Sequence, residues 1–426
     1  MKKKRELARE NKVKFMSPPV SWFQETDGFF RAPGSVAYPQ GFISSGVSAG
    51  LKKNGVPDVA LLVSEKSAVA AGCFTANTVK AAPVLICRRH LRNPIQAVLV
   101  NSKCANSYTG PEGMTDALGL LSDLASFFGL HRKHFLCAST GVIGERLPVA
   151  KIRAALPGLV MNLSCRDSNA AKAIMTTDTV EKTAACRMTL SGREVRIGAM
   201  AKGSGMIAPN MATMLAFVTT DAAISRTLLQ KALDEAVKVS FNRITVDGDT
   251  STNDTILLLA NGAAQNRKIS TDGPAYRRFL RALTWVCQQL AWKVVSDGEG
   301  ETKVFEVAVD GARNSADAGK AARAVASSPL VKTAVFGEDM NWGRIVNAVG
   351  YSGAGFDPGA LDLSIGGVVL LRKGRVVRRN VAGAEKAVRL PFFSVRLGLN
   401  SGRASSRVLT TDFSYDYIRI NADYRS

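Results

Sequence analysis

Between Asp58 and Ser102 the chain reads VALLVSE (59–65), PVLICRR (83–89) and QAVLVNS (96–102), short apolar runs rich in β-branched residues and separated by small and turn-forming residues. That is the pattern of buried strands. Further along, MTDALGLLSDLASFF (114–128) carries apolar side chains at three-to-four spacing, which predicts a helix, and HFLCAST (134–140) returns to strand character. Pro148 fits the first turn of a helix continuing through VAKIRAAL (149–156). Two more helices are expected over 226–239, with Ser225 as N-cap, and over 275–292. Strands then dominate: KVFEVAVDG (303–311), VKTAVFG (331–337), LDLSIGGVVLL (361–371), GRVVRR (374–379) and YDYIRIN (415–421), with GG and KG as hairpin turns. Helices grouped between runs of strands point to an α/β or α+β layered sandwich, not to a barrel.

At 426 residues the chain exceeds the size at which one core stops growing, and 46% hydrophobic with 21% charged residues is an ordinary folded composition. No apolar run approaches the roughly 18 to 20 residues of a membrane span, so no membrane partner is expected. Seven cysteines (Cys73, Cys87, Cys104, Cys137, Cys165, Cys186 and Cys287) are scattered without a CxxC pair. They suggest neither a disulfide framework nor a zinc site, and they fit reduced thiols in a cytoplasmic protein. Only three histidines occur (His90, His131, His134), two of them in the basic stretch HRKH with no acidic or cysteine ligand nearby, which argues against metal catalysis and a Ser-His-Asp triad. The net charge of +21 is spread in pairs without aromatic interleaving, which reads as a basic surface and not a nucleic-acid site. Residues 1–38 open with MKKKRELARENKVKF, where Glu6 and Glu10 and the lack of an apolar segment behind them favour a disordered basic arm over a targeting peptide.

The chemistry concentrates in MAKGSGMIAPNMATMLAFVTTDA (200–222), where a glycine-rich turn joins an apolar strand with a hydroxyl residue, Thr213, at the junction. A hydroxyl in a strained turn can attack the carbonyl before it, turning the amide into an ester that water hydrolyses. The product would begin with Thr213, whose α-amine, of ordinary pKa about 7.7 to 8.0, can take the proton of its own Oγ. From the residues alone, a loop leading into a core strand with an incidental threonine is the other reading.

The long motifs KGSGMIAPNMATMLAF (202–217), STGVIGERLP (139–148), IMTTDT (174–179), SFNRITVDGDTSTNDT (240–255), DGEGETK (297–303), NWGRIVNAVGYSGAGFDP (341–358) and YDYIRINADYRS (415–426) resemble, in order and from about Pro39 to the end, the glutamate N-acetyltransferase / ornithine acetyltransferase family of arginine biosynthesis. The resemblance implies a layered αββα sandwich with a smaller C-terminal domain. It also implies self-cleavage between Ala212 and Thr213 into an N-terminal chain, the arm 1–38 followed by 39–212, and a C-terminal chain 213–426, which stay together as a heterotetramer of two copies of each. A ping-pong reaction would follow, with Thr213 taking acetyl from N-acetylornithine and passing it to glutamate. No cofactor is implied, and acetyl-CoA is an additional co-substrate that the sequence leaves open. By motif, Thr140 and Gly141 match the oxyanion hole, while Thr176, Lys202, Thr213, Glu299, Asn421 and Ser426 match substrate-binding positions. Lys202 suits an α-carboxylate and Glu299 the ornithine δ-ammonium.

The sequence departs from the family at several points. Ala208 stands where histidine follows GSGMI, NSGNAN reads NSKCAN with Lys103 and Cys104, WGCDLT is replaced by LTTDFS, and the last residue is Ser426 instead of threonine. These changes bear on substrate choice and leave an acetyltransferase for another amino acid open. Two further alternatives are a related self-cleaving amidase or aminopeptidase, in which water is the acceptor, and a non-enzymatic basic binding protein. VDGDTSTND (246–254) lacks the closing Glu of a calcium loop, and GYSGAG (350–355), read as following a strand, lacks a P-loop lysine.

Overall fold

The computed structural model describes residues 22–23, 28–208 and 214–423, which fall into two compact units. The larger takes in the described residues up to 242 and residues 249–294; the smaller takes in 243–248 and 295–423.

The larger unit is built on one strand path. Its strands are β1 (Phe29–Ala32), β2 (Phe42–Val47), β3 (Val59–Phe74), β4 (Ile95–Asn101), β5 (Phe135–Ser139), β6 (Lys182–Leu190), β7 (Arg193–Lys202), β8 (Leu215–Thr220) and β9 (Thr255–Ala260). They run in the order β1-β6-β7-β8-β9-β3-β4-β5, with β2 also on β3. β3 serves two layers. Val59–Val63 pairs with β4, the exposed Glu65, Lys66 and Ser67 break the register, and Val69–Phe74 pairs with β9. Period-2 alternation then sorts the side chains. Leu62, Val98, Val100 and Leu136 meet Met200, Leu215, Phe217, Leu257 and Leu259 in a core between the layers. Leu61, Val63, Leu99 and Phe135 face the other way, onto helices α1 (Ala82–His90), α2 (Gly110–Ser126) and α3 (Val149–Met161). On the opposite outer face, α4 (Arg226–Lys238) packs on β3, and α5 (Pro274–Val295) places Trp285 5.6 Å from Phe29. The order is helix, sheet, sheet, helix, the αββα sandwich expected.

The smaller unit holds β10 (Val304–Ala312), β11 (Asp362–Ile365), β12 (Val368–Arg372), β13 (Arg375–Val376), β14 (Phe392–Gly398) and β15 (Ala404–Thr411) in the order β13-β12-β11-β14-β10-β15. The helix Ser315–Ser327 packs its Ala318, Ala321, Ala322 and Val325 into that sheet's core.

Three expected strands are helices. PVLICRR lies in α1, because Pro83 sits in the first turn, where its missing N–H costs nothing, and Arg88, Arg89 and His90 crowd the last turn, where cations suit the helix dipole. VKTAVFG lies in the helix Pro329–Phe336, started by Pro329 and by Ser328, whose hydroxyl accepts the Val331 amide. YDYIRIN lies in the helix Tyr415–Asp423, where Ser414 Oγ accepts the amides of Asp416 and Tyr417. GYSGAG follows the helix Trp342–Gly350, not a strand. Within the stretch 1–38 read as an arm, Phe29–Ala32 is an edge strand on β6 and Val36 is fully buried; residues 1–21 and 24–27 lie outside the described residues.

Candidate active site

Strand ends and the turns beside them deliver the candidate residues of the larger unit. β7 ends at Lys202 and β8 begins at Leu215, the two being cross-strand partners, and Leu215 in turn pairs with Thr255 at the start of β9. β5 ends at Ser139, just before Thr140 and Gly141. Asn253 Nδ2 ties these segments together by donating to the carbonyls of Ala105 (2.6 Å) and Ser139 (2.8 Å). A Cβ on Gly141, at φ +134°, would lie 2.1 Å from the Lys103 carbonyl carbon, so only glycine fits this crossing.

Thr140 and Lys202 meet. The buried Lys202 ammonium donates to Thr140 Oγ1 at 3.1 Å, which leaves the hydroxyl proton of Thr140 to point at another acceptor. Behind them stands Asp178. Its Oδ1 accepts from Lys182 Nζ (2.6 Å) and the Gly203 amide (2.7 Å), and its Oδ2 accepts the Thr176 amide (3.0 Å). Burial alone would raise the Asp178 carboxyl, but Lys182, Lys202 and the Gly203 amide hold it well below the ordinary carboxylate range. One carboxylate therefore joins Thr176 to the end of β7. Asp254 lies just before β9, beside the start of β8. Its Oδ1 accepts the Met214 amide at 2.9 Å, and burial pushes its carboxyl well above the ordinary range, against the Met214 amide and the Lys202 ammonium.

In the smaller unit Glu299 and Asn421 also meet, with Asn421 Nδ2 donating to Glu299 Oε2 at 2.8 Å. Gly300 permits this. A Cβ there would stand 2.3 Å from the Tyr417 amide nitrogen of the last helix. Ala212, Thr213 and Ser426 lie outside the described residues.

A family model described as the ArgJ family matches residues 43–426. The chain belongs to the ArgJ family. The arginine biosynthesis bifunctional protein ArgJ of Symbiobacterium thermophilum is 49% identical over 397 residues, covering 92% of this chain and 99% of that protein. The protein of the same name from Desulfotalea psychrophila is 48% identical over 390 residues, covering 91% and 99%. The crystal structure of arginine biosynthesis bifunctional protein ArgJ from Bacillus halodurans shares 42% identity at a TM-score of 0.48, covering 50% of this chain and 100% of the matched one.

Asp178 and Asp254 were missed as site residues in the sequence, although both lie in motifs that carry the ArgJ-family likeness, IMTTDT and STNDT. In IMTTDT the available signal was a single acidic residue in an otherwise neutral motif; in SFNRITVDGDTSTNDT two other aspartates, Asp247 and Asp249, precede Asp254, and nothing in the sequence sets it apart. The departure at NSKCAN also acquires a geometry. Lys103, where glycine was expected, sits at φ +72°, in the left-handed region, directly against Gly141. Ala208 is buried, and among the described residues no helix is long and apolar enough to cross a membrane.

Proposed function

We propose that the chain cleaves itself between Ala212 and Thr213, and that Thr213 then carries acetyl from N-acetylornithine to glutamate in a ping-pong reaction; the names of its relatives support the setting, arginine biosynthesis. The observation that carries this reading is the meeting of Thr140 with Lys202 at the point where β7 hands the chain to β8, the connection that contains Thr213. There the Thr140 hydroxyl and the Gly141 amide serve as oxyanion donors, and Lys202 serves the substrate α-carboxylate. Lys202 cannot act as an isolated charge, because Asp178 balances it. Glu299, with Asn421 beside it, is the group for the δ-ammonium, and Thr176 and Ser426 complete the substrate contacts.

The pairing of β7 with β8 from Ile197↔Thr220 to Lys202↔Leu215 gives a physical reason for the fragments 1–212 and 213–426 to stay together after the cut, since each fragment owns one strand of the same ladder. The assembly is then a heterotetramer of two copies of each, and acetyl-CoA is a second donor, in keeping with "bifunctional" in the relatives' names.

Purified protein should run as two fragments, each about half of the 45.4 kDa chain, whose combined native mass reports the assembly. Thr213→Ala should stay whole and inactive, whereas Thr213→Ser should cut and work more slowly. An intact chain with full activity sinks the reading. Transfer to glutamate set against hydrolysis by water separates it from the amidase alternative, and acetyl-CoA as donor in the same assay tests the second activity.

A further inference from the structure

Asp254 is 3% exposed, and its Oδ2 is a buried oxygen with no hydrogen-bond partner among the described residues. A buried acceptor left unmade costs more than a typical hydrogen bond contributes, so such an atom calls for a reason. Its carboxyl is fixed on both sides. Oδ1 holds the Met214 amide, the Asp254 carbonyl accepts the Thr75 amide (3.0 Å), and the next residue, Thr255, donates its amide to the Met214 carbonyl (3.1 Å). Met214 follows Thr213 in the sequence, and covalent geometry keeps the nitrogens of consecutive residues within about 3.7 Å of each other. The Asp254 carboxyl therefore holds the backbone amide of the residue that directly follows the Ala212–Thr213 bond in the sequence.

We propose that Asp254 is the general acid of self-cleavage, giving a proton to the Thr213 nitrogen as the Ala212–Thr213 bond breaks. This rests on the self-cleavage reading above and assigns the proton that the reading leaves unassigned. Thr213 Oγ bonds to the Ala212 carbonyl carbon and loses its proton. The carbon–nitrogen bond breaks, its electron pair goes to the Thr213 nitrogen, and that nitrogen gains the carboxyl proton of Asp254. The carboxylate so formed receives the Oγ proton, so the acid is regenerated. Water then divides the ester, its hydroxyl going to the Ala212 carbonyl and its proton to Oγ. The role requires a carboxyl that is neutral when the chain folds, which its burial favours; the charged group acting against it is the Lys202 ammonium at the end of β7.

The experiment uses the full chain, refolded from denaturant, and follows the two fragments on gels over time. Asp254→Asn keeps an acceptor for the Met214 amide but has no acid proton, so it should cut at least about 100-fold more slowly than the parent, while melting at a similar temperature. Hydroxylamine, which splits an ester once formed, should not rescue it. Cutting by Asp254→Asn at the parent rate overturns the proposal, and so does rescue by hydroxylamine, which would show that the ester forms without the acid. Should Asp254→Asn fail to fold, the pH dependence of cutting in the slower Thr213→Ser chain decides. A rate that falls as pH rises through a carboxyl titrating above the ordinary value of about 3.9 supports the acid, and a flat rate overturns it. A parent chain that never cuts fails the self-cleavage reading itself and is told apart from these outcomes at the first gel.

Discussion

Thr140 and Lys202 stand among groups that are themselves buried and cross-linked, whereas Glu299 and Asn421 meet through one hydrogen bond to an exposed turn of the last helix. The first pair comes from strand ends whose positions the sheet register fixes, and Asp178 adds two ammonium groups and two backbone amides to the same point. The second pair depends on the fit of a helix over Gly300. A position held by register and a buried ion network suits bond-making chemistry, which loses rate with small displacements. A position held by a helix and one hydrogen bond suits the recognition of a side chain.

Breaking the buried network should have the largest effect. Asp178→Asn removes the partner of Lys182, a pair in which both side chains are fully buried, and should destabilise the larger unit by about 3–5 kcal/mol. The pH dependence has a definite sign. The folded carboxyl titrates below its unfolded value of about 3.9, so its stabilisation is complete above that value and is lost as pH falls through it toward the folded one. The parent should therefore show an acid-unfolding limb that is weaker in Asp178→Asn, as measured by chemical denaturation at a series of pH values. Equal limbs would show that the network is not coupled to folding.

Next in size is Thr140→Ala. Loss of one oxyanion donor should lower kcat by roughly 100 to 1,000-fold with little change in KM. An unchanged kcat would move the oxyanion hole away from the end of β5. Glu299→Gln should do less. It removes a charge-assisted bond worth about 1.5–3 kcal/mol, raising KM for N-acetylornithine while self-cleavage survives. Toward an acetylated amino acid with a neutral side chain it should lose almost nothing. Equal losses for charged and neutral substrates would make Glu299 a structural residue and erase the contrast between the two regions.

The sequence carried the sheets better than the short helices. KVFEVAVDG and LDLSIGGVVLL became β10, β11 and β12, and Ser225 caps α4 as expected, its hydroxyl accepting the Leu228 amide. PVLICRR failed because Ala82, Pro83, Val84, Ile86 and Cys87 are all buried, and an apolar run that is buried all round has no period to read. YDYIRIN failed because alternating aromatic and β-branched residues mimic a strand, while the deciding signal, the Ser414 cap, lies outside the motif. Motif reading named Thr140, Lys202, Glu299 and Asn421 and left their pairing unseen, because each pair is joined by residues distant in the chain. Asp178 and Asp254 stayed hidden because their distinction lies in burial and in which backbone amide they hold.

The smallest expected effect tests how rigidly the first region is held. Lys103 occupies a left-handed conformation, φ +72°, that a side chain makes unfavourable and glycine adopts freely. Its peptide with Cys104 is the surface against which Gly141 packs, the ideal Cβ of Gly141 lying 2.1 Å from the Lys103 carbonyl carbon. The strain is therefore stored beside the oxyanion candidates. Lys103→Gly relieves it but also gives the unfolded chain more freedom, and the two effects oppose each other. A residue in a sparsely populated region costs of order 1–3 kcal/mol, and the entropic cost of glycine is roughly 0.5–1 kcal/mol, so a net stabilisation of about 1 kcal/mol is expected from denaturant midpoints. If the sandwich already fixes Thr140 through Lys202 and Asn253, kcat should stay within about twofold of the parent while stability rises. A gain in kcat along with stability would mean that lysine at 103 displaces the oxyanion turn, and that the larger region is less rigid than its hydrogen bonds imply.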